Sequence, residues 1–73
     1  MKLKWKNTIR ITTLWGVAPG GSETMLGQII KISGGFDSFE YTGGPARMLE
    51  FQTTKGNAKT MLLRAVKAGI KDL

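Results

Sequence analysis

The sequence predicts an α+β fold, in which a small antiparallel sheet of three or four strands, joined as a meander, carries one C-terminal helix packed on one face. Three observations predict it. Apolar and polar residues alternate from Lys2 to Val17, three Gly-Gly pairs divide the middle of the chain, and from Asn57 the apolar spacing lengthens. Strand side chains alternate between two faces, whereas helical side chains repeat every 3.6 residues. The 73 residues are predicted to form one domain, 1–73.

The first predicted strand covers about residues 2–16. The odd positions of this strand form an apolar face that includes Trp5 and Trp15. We therefore expect both tryptophans to pack in the core. The opposite face then carries four cations, Lys2, Lys4, Lys6 and Arg10. All four charges have the same sign, which ordinary solvation of a surface does not require.

Three further strands are predicted between and after the three Gly-Gly pairs, because glycine adopts positive φ in turns without steric cost. They cover about residues 25–33, 36–42 and 46–54. The connections between them are too short for crossovers, which predicts antiparallel pairing. The aromatic residues Phe36, Phe39 and Tyr41 have two interpretations, packing in the core or stacking on nucleic-acid bases.

The helix is predicted over about residues 57–69, with Asn57 as N-cap and Gly69 as the C-terminal stop. One face of this segment is apolar along its whole length. That face consists of Ala58, Met61, Leu62, Ala65 and Val66. A helix with such a face can bury it against the apolar face of the sheet.

The composition narrows the classes of function. Eleven Lys and Arg against five Asp and Glu give a formal charge of +6, and the chain has no cysteine or histidine. The usual general base and the commonest transition-metal ligand are therefore absent. Because the five acids are also scattered, we predict a protein that is not an enzyme, with no catalytic residues, no metal site and no cofactor. No apolar run approaches the roughly 18 residues of a membrane span. We expect no membrane partner and a cytoplasmic location.

The cations predict a nucleic-acid-binding protein. Alternate side chains on one strand face lie about 6.6 Å apart, so a row of lysines can follow a phosphate backbone and displace its counterions. We predict a small accessory or regulatory protein, with DNA favoured over RNA as its partner. The candidate binding residues are Lys2, Lys4, Lys6, Arg10, Lys31, Arg47, Lys55 and Lys59. Lysines on an edge strand also prevent aggregation without any ligand, which is the alternative interpretation of the row.

The segment from Thr53 to Lys59 joins the last strand to the helix. It is either an ordinary capped turn or a phosphate site in which Lys55 and Lys59 flank the helix N-terminus. With the preceding strand it resembles the end of sheet-plus-helix DNA-binding modules, such as the N-terminal domains of tyrosine integrases and the plant ethylene-response-factor domain. In those families the open sheet face enters the major groove. The segment is also similar to the second half of double-stranded-RNA-binding domains, and this resemblance implies phosphate contacts for Lys55 and Lys59.

A second hypothesis is a small viral-type inhibitor or adaptor that binds a host protein or nucleoprotein complex. Such a protein would present its basic face or an exposed strand edge to an acidic protein surface. A homodimer that pairs through the first strand is compatible with both hypotheses, because that predicted strand is long for so small a sheet.

Overall fold

The computed structural model describes residues 1–70 and confirms the predicted fold class, an antiparallel meander with one C-terminal helix on one face. The sheet has five strands in the order β1-β2-β3-β4-β5, so each strand pairs with its neighbours in sequence. The elements are β1 (Lys2–Asn7), β2 (Ile11–Val17), β3 (Glu23–Ile32), β4 (Gly35–Glu40), β5 (Arg47–Met48) and α1 (Lys55–Gly69).

The segment predicted as one strand over residues 2–16 is a hairpin of β1 and β2 with a turn at residues 8–10. The Thr8 amide donates to the Ile11 carbonyl oxygen at 2.7 Å, and the Ile11 amide donates to the Thr8 hydroxyl at 3.2 Å. A threonine therefore closes this turn, which contains no glycine or proline.

The hairpin reverses which positions share a face. Trp5 pairs with Leu14 and Lys4 pairs with Trp15, and directly opposed residues of an antiparallel pair project to the same side. Trp15 therefore lies on the face of Lys4, and the prediction that both tryptophans pack in the core is wrong for Trp15. The prediction that Arg10 shares a face with the three lysines is also wrong. Arg10 occupies an even position, like Leu14, and so lies on the side of the sheet opposite the lysines.

The helix begins two residues earlier than predicted. Thr54 is the N-cap, and its hydroxyl accepts a hydrogen bond from the Asn57 amide at 3.2 Å. Asn57 is therefore inside the helix rather than at its cap, and Lys55 is the first helical residue. Both threonine and asparagine are favourable caps, so composition alone does not distinguish these two starts. The helix ends at Gly69, as predicted.

The core lies between α1 and one face of the sheet. The buried helical residues pack against the buried apolar residues of β2 and β3. These core residues are Leu14, Leu26, Ile29, Ala58, Leu62 and Val66. A β-bulge in β3 contributes to this packing: Leu14 pairs with Gly27 and Trp15 pairs with Met25, so Leu26 is an additional residue in the ladder.

No helix packs against the opposite face of the sheet within residues 1–70. We call it the open face and define it by the register of the strands. Its residues are Lys2, Lys4, Lys6, Ile11, Thr13, Trp15, Val17, Glu23, Met25, Gln28, Ile30, Ile32, Gly35, Asp37, Phe39 and Met48. Tyr41, which directly follows β4, joins this face through a hydrogen bond from its hydroxyl to Gln28 Oε1 at 2.8 Å.

The connections around the Gly-Gly pairs are turns, as predicted. One glycine of each pair has positive φ: Gly21 at 92°, Gly34 at 82° and Gly44 at 98°. The strand predicted over residues 46–54 is much shorter. Its ladder consists of Arg47–Met48 and one isolated bridge from Phe36 to Gln52. The Phe39–Met48 pair and the Phe36–Gln52 bridge differ in register by one residue, which interrupts the ladder between them.

Gly27 sets the distance between β3 and the helix. A Cβ atom at this position would lie 2.6 Å from Leu62 Cδ1 and 2.8 Å from the Phe39 carbonyl oxygen. Real Cβ atoms essentially never approach heavy atoms so closely, and the Phe39 oxygen belongs to the backbone of the paired strand. Gly27 therefore allows Leu62 to reach the sheet.

We expect Gly27→Ala to lower the free energy of unfolding by about 1–3 kcal/mol, because the added methyl group overpacks the core. Urea denaturation followed by circular dichroism measures this change. The matched control is Gly43→Ala, since a Cβ at Gly43 meets no atom within 4 Å. Equal stability of the two variants would contradict the proposed close packing at Gly27.

Candidate nucleic-acid interface

Three of the predicted binding residues lie side by side on the open face. Lys2, Lys4 and Lys6 alternate along β1, and all three are exposed. Because β1 pairs only with β2, it forms one edge of the sheet. The three lysines therefore form a row along that edge, which we call the lysine row.

Glu23 of β3 bonds two members of the lysine row. Its carboxylate accepts a hydrogen bond from Lys6 Nζ at 2.7 Å and another from Lys4 Nζ at 3.3 Å. The bond from Lys6 and then that from Lys4 hold the pKa of Glu23 below its ordinary value of 4.5. Since folding lowers the pKa of Glu23, these bonds stabilise the folded protein at pH values above the ordinary pKa. Their contribution is lost as the pH falls through the lowered pKa.

Aromatic side chains lie next to the lysine row. Lys6 Nζ lies 5.0 Å from the centroid of the Trp15 ring, a cation–π distance. Phe39 and Tyr41 lie farther across the same face, and all three aromatic residues are partly exposed. The sequence prediction missed Trp15 as a surface residue, because only the hairpin turn reveals its orientation.

A second group of predicted residues meets at one end of the sheet, on the helix side. Arg10, Lys31 and Lys55 line a cleft of about 180 Å³. The Lys31 amide donates to the Arg10 carbonyl oxygen at 2.8 Å, which holds the β1–β2 turn against β3. Lys55 Nζ donates to Asn7 Oδ1 at 3.1 Å, and this bond holds the start of α1 against the end of β1.

Lys59 lies farther along the helix and away from this cleft. Its Nζ is 5.0 Å from the centroid of the Trp5 ring, and Trp5 is partly buried against the core. The ammonium group thus covers the outer side of a core tryptophan, which is a packing role that the sequence does not indicate.

Arg47 lies apart from both groups. Its Nε is 3.5 Å from Glu40 Oε2, and the Glu40 residue is only 4% exposed. The Thr42 hydroxyl donates to the other oxygen of the same carboxylate. Arg47 therefore compensates a buried negative charge, whereas the sequence predicts a contact to nucleic acid at this position.

The acids do not gather into a metal site in the part of the chain that the structure describes. In the same range, α1 is neither long nor apolar enough to cross a membrane.

Comparison with known proteins adds no functional information: no family model, curated protein or solved structure matches the chain. The functional interpretation therefore depends on the geometry of the surface alone.

We expect Arg47→Gln to destabilise the protein by about 1–2 kcal/mol at neutral pH, because it leaves the buried Glu40 carboxylate without its cation. The expected loss of stability is smaller than for a fully buried ion pair, since the Arg47 side chain is 63% exposed. Chemical denaturation measures the loss.

Arg64→Gln is the control, because Arg64 is an exposed arginine of α1 that forms no ion pair among residues 1–70. The loss caused by Arg47→Gln should shrink in a Glu40→Gln background, where no buried charge is left unpaired. An undiminished loss in that background would show that Arg47 stabilises the fold in another way.

Proposed function

We propose that this protein is a non-catalytic nucleic-acid-binding protein whose binding site is the open face. The observation that carries the proposal is the presence of the lysine row and three partly exposed aromatic residues on one uncovered sheet face. We expect it to act in the cytoplasm as an accessory or regulatory protein, with DNA favoured over RNA.

The lysine row supports contacts to phosphates. Its three ammonium groups lie on alternate residues of one strand, so their spacing follows an extended backbone. Glu23 competes for two of them, but both lysine side chains are about half exposed. Exposed ion pairs contribute only about 0–1 kcal/mol, so a polyanion can displace the carboxylate.

The aromatic residues support contacts to unpaired bases. Proteins that bind single strands combine a positive track for the backbone with aromatic side chains on which bases stack, at about 1–3 kcal/mol per base. Trp15 lies beside the lysine row, whereas Phe39 of β4 and Tyr41, directly after β4, lie farther from that edge. The order of cations and rings across the face therefore favours a single strand, with its phosphates toward β1 and its bases toward β4.

A protein partner is the second candidate, and a different observation favours it. Met25, Met48 and Phe51 are 37%, 59% and 47% exposed, and Met25 and Met48 belong to the open face. Exposed apolar residues that share one sheet face with aromatic residues are typical of a surface that binds another protein. The partner would be an acidic protein surface, as for an inhibitor or adaptor, or a second copy of this chain.

The two tryptophans allow binding to be assigned to one face. Trp5 lies on the helix side and Trp15 on the open face. In a Trp5→Phe variant, we expect a single-stranded oligonucleotide to quench the fluorescence of Trp15, because bases stack beside it. In a Trp15→Phe variant, the remaining Trp5 should change little.

The same titration at two salt concentrations counts the phosphate contacts. Three contacts to a single strand, one for each member of the lysine row, contribute about −2.1 to the slope of log K against log[salt], or roughly 20-fold weaker binding at 200 mM than at 50 mM salt. Absence of binding at low salt would refute the proposed function. Quenching of Trp5 alone would move the site to the helix side.

Replacing Glu23 tests the lysine row by a gain of affinity. We expect Glu23→Gln to tighten binding to the oligonucleotide about fivefold at low salt, because the carboxylate no longer repels the phosphates beside the lysine row. The substitution also frees Lys4 and Lys6. Fluorescence anisotropy of a labelled oligonucleotide measures the change.

Glu50→Gln is the matched control, since it removes the same charge beside Thr60 and Arg64 of α1, away from the lysine row. Equal gains from the two variants would indicate a general effect of net charge and would contradict a site on the open face.

A further inference from the structure

We infer that the cleft between Arg10, Lys31 and Lys55 binds a phosphate group, at a site separate from the open face. The cleft lies on the helix side of the sheet, where its three cations come from three different elements: the β1–β2 turn, β3 and α1. The inference rests on the proposed function for the source of the phosphate, the backbone of a bound nucleic acid.

The charges around the cleft are uncompensated. The residues that line it include three cations and no acid, and none of the three cations forms an ion pair within residues 1–70. Like charges that share a cleft repel one another, and low-dielectric walls concentrate their field. Ile29 and Phe36 supply such walls here. A bound anion relieves the repulsion among the three cations.

The polar groups of the cleft are held in place by internal bonds. Asn7 Oδ1 accepts from both the Thr12 hydroxyl, at 2.8 Å, and Lys55 Nζ, at 3.1 Å. The Thr8 hydroxyl is bonded to the backbone of Ile11. The Asn7 bond leaves the ammonium of Lys55 with further donors, and Arg10 and Lys31 have no side-chain partner among the described residues. The free side-chain donors in the cleft are thus all cationic.

The size of the cleft limits the ligand. Pockets for drug-sized molecules are about 300–1,000 Å³, whereas this cleft has about 180 Å³. It accommodates one small anionic group rather than a whole nucleotide. Arg forms bidentate bonds to phosphate oxygens and Lys binds them as a point charge, so the set of residues matches a phosphate.

The cleft also lies beside an unusually exposed apolar residue. Ile9, in the β1–β2 turn, is 96% exposed and lines the same cleft. A phosphate held by Arg10 and Lys31 would bring the neighbouring sugar against Ile9. A strand that crosses the open face would thereby continue around this end of the sheet to the cleft on the helix side.

Inorganic phosphate tests the cleft without any nucleic acid. In a titration followed by ¹H–¹⁵N NMR, we expect saturable shifts of the amides of Arg10, Lys31 and Lys55. An Arg10→Gln/Lys31→Gln double variant should lose these shifts. Lys67→Gln, which removes an exposed cation from the last turn of α1, should retain them. Shifts of equal size at Lys67, or shifts that persist in the double variant, would overturn the site.

A second arm identifies the source of the phosphate. The affinity of each variant for a single-stranded oligonucleotide is measured at 50 and 200 mM salt. The decrease in affinity should be about threefold smaller for the double variant than for Lys67→Gln, because the double variant has lost one phosphate contact. An unchanged salt slope, or lost binding to phosphatidylglycerol vesicles with unchanged binding to the oligonucleotide, would overturn the nucleic-acid backbone as the source.

The two proposals can fail separately. Saturable phosphate shifts in a protein that binds no oligonucleotide would refute the proposed function and retain the phosphate site. Quenching of Trp15 by the oligonucleotide without phosphate shifts would refute the site and retain the function. A thermal unfolding curve of the double variant verifies that it folds; if it does not, Lys31→Gln alone takes its place in both arms.

Discussion

The packing of α1 against one face of the sheet is the constraint on which the rest of the structure depends. A 15-residue helix is about 22 Å long and about 10 Å wide, whereas five strands spaced about 4.8 Å apart span about 19 Å. One helix therefore covers about half of one face and none of the other. It packs against β3 and β4, while Lys59 and the partly buried Trp5 cover the helix side of β1.

This constraint explains why the open face is the candidate surface for binding. A domain of this size buries only about 60% of its unfolded surface, so apolar residues left in water are a notable loss of stabilisation. Trp15, Phe39 and Met48 nevertheless lie on the uncovered side. Their position is explained if a ligand or partner covers them, which is the common basis of both candidate functions.

The sequence predicts those parts of the fold that depend on local signals. The period of the helix and the Gly-Gly turns are local, and the structure has both. The β1–β2 turn is different, because residues 8–10, Thr-Ile-Arg, contain no residue that favours a turn strongly. A prediction without this turn assigns every later position of the segment to the wrong face of the sheet, including Trp15 and Arg10. The ion pairs of Glu23 and Arg47 depend on strand register, which no local pattern specifies.

The presence of Glu23 beside the lysine row is compatible with binding to a polyanion. The two lysines that Glu23 engages are fixed in position in the free protein, so less side-chain entropy is lost when a phosphate replaces the carboxylate. The carboxylate also weakens binding, because it repels the incoming phosphate. If the open face binds a polyanion, these opposing effects favour a moderate, reversible affinity. A protein that moves along a nucleic acid or releases it readily requires such an affinity, whereas a permanent structural complex does not.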